Sequence, residues 1–368
     1  MSFKGSGSGS SPGRTPSPGS GPVPFGDYLL DQRLGQGGMA EVWKARVAKA
    51  QGFEKVVCVK RVLRHLAASD EHITMFVQEA KLSARLSHPN IVQVFDLGDV
   101  HGEFYMAMEY VRGQDLMAVL HRCAALGDPL PSAAASFVAR EICHALTYAH
   151  EFVDDDNVPR PIVHRDVSPQ NVMLGDDGRV KLVDFGVAKA SIEGREQTRS
   201  GIVKGKLAYL APEQLEGAVA SPSTDIFAAG IVLHEMLSNE RLFASEADHR
   251  TLVRLQTMVV PPPSSKNPRV PPALDRIALR ALERDPARRY QTVAEMSHEL
   301  DEICAETRFT SSSMRQLLMG LRSREVGSSR SAKTRSPSLD PIPAVPGPVT
   351  PSQPSRERPR ALVKPPVP

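Results

Sequence analysis

The sequence predicts an α+β fold of two lobes, a small β-rich lobe followed by a larger α-helical one, with low-complexity segments at both ends. Three observations predict it. Up to about residue 111, short apolar runs alternate with the period of half-buried strands: YLLDQRL, EVWKARV, KVVCVKRVL, IVQVFDLG and EFYMAMEYV. From about Gln114 the apolar period becomes helical. Outside these regions Gly, Ser and Pro dominate the front and Pro, Ser and Arg the back, and such segments bury too little apolar surface to offset the entropy of ordering. The expected organisation is a disordered segment 1–26, a folded region 27–305 (small lobe about 27–111, large lobe about 112–305) and a disordered tail 306–368.

In the small lobe one helix interrupts the strands: DEHITMFVQEAKLSARL puts Ile73, Phe76, Val77, Ala80 and Ala84 on a single face. In the large lobe, SAAASFVAREICHALTYAHEF repeats Val138, Ile142, Ala145, Leu146 and Ala149 at helical spacing. DIFAAGIVLHEML is apolar nearly all round, as a helix inside a helical lobe must be. TVAEMSHELDEI opens with the capping-box spacing of Thr292 and Glu295 and repeats Val293, Met296, Leu300 and Ile303. A ligand is expected in the cleft between the lobes.

Composition narrows the function classes. A net charge of +3 over 368 residues is too weak to argue for nucleic acid. No run approaches the ~18 unbroken apolar residues of a membrane span, and MSFKGSGSGSSPGRTPSPGSGP lacks the apolar core of a signal peptide. The four cysteines, Cys58, Cys123, Cys143 and Cys304, have no metal spacing and read as buried thiols in a reducing compartment. The expectation is a cytoplasmic protein.

The chemistry is carried by motifs in fixed order. Leu34–Val42 (Leu34, Gly35, Gln36, Gly37, Gly38, Met39, Ala40, Glu41, Val42) is a glycine-rich turn between strands, where backbone N–H groups can approach phosphates closely. A strand follows it and no G-K-[ST] is present, so it is neither a dinucleotide fingerprint nor a Walker loop. Lys60 ends an apolar strand, and Glu79 sits on the apolar face of the next helix; a carboxylate there needs a cation, and Lys60 is the natural partner. In HRDVSPQN, Asp166 and Asn171 have the spacing of a catalytic base and a metal ligand, and KLVDFG supplies a second ligand, Asp184. Both ligands offer the hard oxygens that Mg²⁺ prefers. Five further elements accompany them: His88-Pro89-Asn90, Glu109, Ala211-Pro212-Glu213, Asp225 and Arg289.

On these motifs the chain resembles the eukaryotic-type protein kinase family, most of all its bacterial Ser/Thr kinases, over about Tyr28 to Ile303. The resemblance implies a bilobal kinase fold that binds ATP and Mg²⁺ and phosphorylates Ser/Thr of protein substrates. It implies Val42 and Cys58 above the adenine and Met173 below, a hinge at Glu109 to Val111 and Met108 behind it. It pairs Glu213 with Arg289, has Asp225 hold the catalytic loop, and stacks His164 with Phe185. It further implies activation by phosphorylation, here at Thr198 or Ser200, and self-association for phosphorylation in trans. Two positions depart from the pattern: Ser168 replaces the catalytic-loop Lys, and Lys206 replaces the substrate-loop Thr. The exchange suggests that Lys206 supplies the missing charge. Two alternatives are a nucleotide-binding scaffold without catalysis, against which stand Lys60, Asp166 and Asp184, and a small-molecule phosphotransferase, against which stands Ala-Pro-Glu.

Overall fold

A computed structural model of the chain describes residues 21–48, 54–67, 69–186, 206–245 and 247–333. The first compact unit runs through Ser323; residues from Arg324 onward belong to a second.

The small lobe is a six-stranded antiparallel sheet in the order β1-β2-β3-β4-β6-β5. Its strands are β1 (Val23–Phe25), β2 (Tyr28–Gln36), β3 (Ala40–Ala48), β4 (Glu54–Val62), β5 (Val94–Val100) and β6 (Glu103–Glu109). Helix α1 (Asp70–Arg85) lies between β4 and β5 in the chain, and its Ser69 cap accepts the His72 N–H. Alternation along β4 sends Val57 and Val59 into one apolar cluster and Cys58 and Val62 into another that α1 covers.

The large lobe holds a small sheet of β7 (Gly113–Asp115), β8 (Val172–Gly175) and β9 (Val180–Leu182) and helices α2 (Leu116–Leu126), α3 (Ser132–His150), α4 (Pro212–Leu215), α5 (Pro222–Ser238), α6 (Asp248–Thr257), α7 (Pro272–Ala281), α8 (Val293–Thr307) and α9 (Ser311–Lys333). The apolar stripe of α3 is buried as its spacing predicts, and α5 is buried from Thr224 to Ser238. A Cβ on Gly230 would stand 2.8 Å from Ala281 Cβ, so glycine permits the close approach of α5 to α7. Thr292 caps α8 by accepting the Glu295 N–H, while Glu295 turns back to the Gln291 N–H rather than closing a full capping box. Among the described residues no helix is long and apolar enough to cross a membrane.

Three expectations are corrected. The buried face of α1 consists of Met75, Phe76, Glu79, Ala80 and Ser83, whereas Ile73 and Val77 are half-buried and Ala84 is exposed, so Glu79 enters the protein together with part of the apolar arc. The leading segment is ordered from Val23, because Val23–Phe25 pairs with Tyr28–Leu30 and Phe25 is buried against Tyr105. The segment 306–368 is not uniformly unstructured: α9 forms, and its Met314, Leu318 and Leu321 join the large-lobe core. Ser and Arg dilute the composition there, but the three apolar residues fall on one helical face.

Candidate active site

The glycine-rich turn joins β2 to β3, closed by the Gly37 N–H donating to the Ala40 carbonyl at 2.8 Å, and Gly35 and Gly38 would meet nothing within 4 Å if they carried a Cβ. Leu34 is exposed, and the Gln36 side chain accepts from Arg33. The Leu63 N–H donates to the Met39 carbonyl, tying the turn to the end of β4. Glu41 directs its buried carboxylate to Arg61 at 2.5 Å, on the sheet face opposite the cleft, so only its backbone is offered to a phosphate. Arg61 lies over the rings of Phe25 and Trp43 and also pairs with Glu103. Sequence reasoning missed this network; its one signal was Arg61 beside Lys60 in an otherwise apolar strand.

Lys60 points to the other face. Its Nζ lies 2.6 Å from Glu79 Oε1 and 2.9 Å from Asp184 Oδ1, so the expected pair with Glu79 forms and Asp184 joins it. Burial works against the ammonium charge, but the carboxylates of Asp184 and Glu79 outweigh it and hold the Lys60 pKa above its ordinary value. Burial pushes the Glu79 carboxyl up, and the Lys60 charge opposes that rise.

Val42, Cys58, Met108 and Val111 gather in one apolar cluster, with Cys58 opposite Met108 in the β4–β6 register. Met108 also lines a small cavity bounded by Glu79, Val94, Met106, Val183 and Phe185. Glu109 receives Lys181 Nζ at 2.8 Å, a tether sequence reasoning did not find. Met173 lies on β8 opposite Lys181 and Asp115. Burial, with the Asp184 charge, pushes the Cys58 thiol up to about 12. At neutral pH the thiol is therefore protonated and inert. Alkylation of Cys58, followed by mass spectrometry, is expected to be slow at pH 7 and slowed further by ATP; fast, ATP-insensitive modification would contradict its placement.

The catalytic-loop candidate is held from beneath by Asp225 at the head of α5. Its carboxylate accepts the His164 N–H at 2.7 Å and the Arg165 N–H at 2.9 Å, and His150 Nε2 stands 2.8 Å away. His150, one residue past the α3 stripe, is a third partner that the sequence did not announce. These bonds hold Arg165 at φ 66°, a backbone conformation that non-glycine residues rarely adopt. Buried His164 lies 4.5 Å from Phe185 between ring centroids, stands 3.1 Å from the Val183 carbonyl through Nε2 and accepts the Asp166 N–H through Nδ1. Burial lowers its pKa, which keeps the ring neutral in this role.

Asn171 Nδ2 donates to the Asp166 carbonyl at 2.7 Å and to Asp166 Oδ2 at 2.9 Å, and an amide so engaged offers its Oδ1 to a cation. The Val183 N–H donates to the Asn171 carbonyl at 3.0 Å, bringing Asp184 alongside. Asp184 has φ 57°. A carboxylate and an amide oxygen suit Mg²⁺, which completes its shell with water and substrate oxygens. Glu213 receives Arg289 in a two-pronged pair of 2.7 Å bonds, and the Arg289 side chain is fully buried. Ser168 is 1% exposed, and its Oγ has no partner among the described residues. Lys206 opens the turn Lys206–Tyr209, but its side chain, like Thr198 and Ser200, lies outside the described residues.

A family model for the protein kinase domain matches residues 28–300. The chain belongs to the protein kinase family. It is 39% identical over 284 residues to the tyrosine-protein kinase MasK of Myxococcus xanthus, covering 77% of this chain and 44% of that protein. It is 34% identical over 300 residues to the serine/threonine-protein kinase pkn3 of the same species, covering 78% and 52%. It is 33% identical over 277 residues to the serine/threonine-protein kinase PrkC of Bacillus subtilis, covering 75% and 40%. The chain thus spans about half, or less, of the length of these relatives. A crystal structure of the Mycobacterium tuberculosis PknI kinase domain matches with a TM-score of 0.58 at 27% identity, covering 78% of this chain and 99% of that one. The fold is that of a protein kinase.

Proposed function

We propose that the chain transfers the γ-phosphate of ATP to Ser and Thr hydroxyls of proteins in bacterial signal transduction, with Mg²⁺ and with activation by phosphorylation at Thr198 or Ser200. One observation carries the reading: Lys60, held by Glu79, lies 2.9 Å from Asp184, while Asn171 is bonded to Asp166. Lys60 would orient the α- and β-phosphates, and the backbone of Gly35–Val42 would cover them. Asn171 and Asp184 would hold Mg²⁺, which when bound offsets charge building up on the transferring phosphoryl group. Asp166 would accept the proton of the incoming hydroxyl. Val42, Cys58 and Met173 would enclose the adenine, and Glu109 to Val111 would present backbone groups to its edge. The place of action is the cytoplasm, where ATP and reduced thiols coexist; recovery from an extracytoplasmic fraction would contradict it.

Activation by phosphate has a buried cation behind it: Arg165 Nη1 is enclosed and has no partner among the described residues. A phosphate on Thr198 or Ser200 would satisfy it and order the segment through its charge. Phosphatase treatment and the Thr198→Ala/Ser200→Ala double variant are expected to lower turnover more than tenfold. A Lys60→Ala chain should gain these phosphates only when mixed with wild type, as self-association in trans requires. Equal turnover of treated, untreated and double-variant protein would sink the mechanism.

Ser168 and Lys206 together would keep one hydroxyl and one cation beside Asp166. Lys206→Ala is then expected to reduce turnover far more than ATP affinity, with Lys204→Ala as the control; wild-type turnover in Lys206→Ala would make the exchange a coincidence. A second reading, transfer to tyrosine, is favoured by the name of the 39% identical relative and by Lys206 in place of the substrate-loop Thr. Phosphoamino-acid analysis of the autophosphorylated chain and of a generic basic protein decides between them. Phosphoserine and phosphothreonine are expected; phosphotyrosine alone would overturn the Ser/Thr assignment.

A further inference from the structure

The family match ends at residue 300, yet the compact unit continues to Ser323 and includes Met314, Leu318 and Leu321 of α9. Phe309, just before the helix, lies 5.6 Å from Phe137 of α3 between ring centroids. Met314, Leu318 and Leu321 are 0%, 2% and 5% exposed, one face of the helix sunk in the large-lobe core.

Helix α9 also meets the tip of the β8–β9 hairpin. Gly178 has φ 83°, and a Cβ there would stand 1.8 Å from the Ser311 carbonyl and 2.8 Å from the Arg315 nitrogen. The backbones therefore meet where no side chain fits. Arg322 Nη2 donates to Asp176 Oδ1 at 2.6 Å. Asp176 in turn gives its backbone N–H to the Arg112 carbonyl at 2.7 Å, one residue past Val111. The far end of the same hairpin carries Asn171 just before β8 and Asp184 two residues after β9.

We propose that α9 is a clamp on the β8–β9 hairpin, with Arg322 a positioning residue that acts through Asp176 on the metal ligands Asn171 and Asp184 and on the hinge segment. The inference rests on the nucleotide-site reading above. Strands of four and three residues make a hairpin that is marginal by itself. Fixing its tip to α9 on one side and to Arg112 on the other limits how far its base can rock. Displacements of about 1 Å at such a base are enough to cost phosphoryl transfer on the order of 10²-fold.

The test uses the full chain and equilibrium binding of a fluorescent ATP analogue with Mg²⁺, alongside KM and kcat. Arg322→Glu and Asp176→Arg are each expected to weaken nucleotide binding about threefold to tenfold and to raise the KM for ATP in parallel, within the range seen for coupled positions. The Asp176→Arg/Arg322→Glu exchange should recover most of the loss. Leu318→Asp, which breaks the apolar face, should weaken binding more; if it does not fold, the exchange pair still decides. A merely structural helix would lower Tm in these variants and leave nucleotide affinity alone, and that result would overturn the clamp. Wild type binding tightly with variants unchanged removes the clamp only. Wild type binding no nucleotide would bring down the phosphotransfer reading and the clamp with it.

Discussion

Asp166→Ala is expected to lower phosphoryl transfer by about 10²–10⁴-fold, the usual contribution of a positioned general base. Asp166 is held on two sides: its N–H donates to His164, and Asn171 bonds both its carbonyl and its carboxylate. Removing the carboxylate deletes one partner of Asn171 but leaves the loop on Asp225, so folding and nucleotide binding should persist. The informative readout is a collapse of kcat with little change in the dissociation constant for ATP. Loss of nucleotide binding to the same degree would mean that Asp166 shapes the site rather than taking the proton.

Lys60→Ala should be as damaging to turnover and, unlike Asp166→Ala, should also destabilise. In the structure the ammonium holds two carboxylates, Glu79 and Asp184, and Glu79 is largely buried. Breaking a buried pair by removing one partner typically costs about 3–5 kcal/mol. Without the cation, Glu79 relieves its burial by taking up a proton, so its folded pKa stands above the unfolded one. Stability tied to that proton is fully present below the unfolded pKa and is lost as pH rises through the folded value. The variant should therefore melt closer to wild type at pH 5 than at pH 8. A constant difference in Tm across that range would contradict the role given to Glu79, and Lys60→Met provides the check that lost packing is not the cause.

Much of this site was legible because its chemistry needs particular residue types at short spacings. HRDVSPQN and KLVDFG carry the base and the metal ligands on either side of one hairpin, and Glu79 stood out as a carboxylate on an apolar face. The Glu213–Arg289 pair spans 76 residues, and only the family resemblance could join them. What stayed hidden depended on tertiary contact. Helix α1 buries Ser83 and exposes Ala84 although Phe76 and Ala80 pack in the apolar cluster, a half-turn of detail that apolar spacing did not resolve. Arg61, Lys181 and His150 meet Glu41, Glu109 and Asp225 only through tertiary contacts that no short spacing announces. α9 was lost in the average of a Ser- and Arg-rich segment, although Met314, Leu318 and Leu321 carry helical spacing. A window shorter than the tail would have found it.

The central claim is that this cleft moves phosphate from ATP to protein hydroxyls. The most direct measurement incubates wild-type chain and Asp166→Ala with γ-labelled ATP, Mg²⁺ and a generic basic protein, with a chelator arm for each. The account predicts label on the basic protein and on the chain itself with wild type and Mg²⁺, and almost none with Asp166→Ala or with chelator. Nucleotide bound by wild type with no label transferred, or label transferred equally by Asp166→Ala, would contradict it.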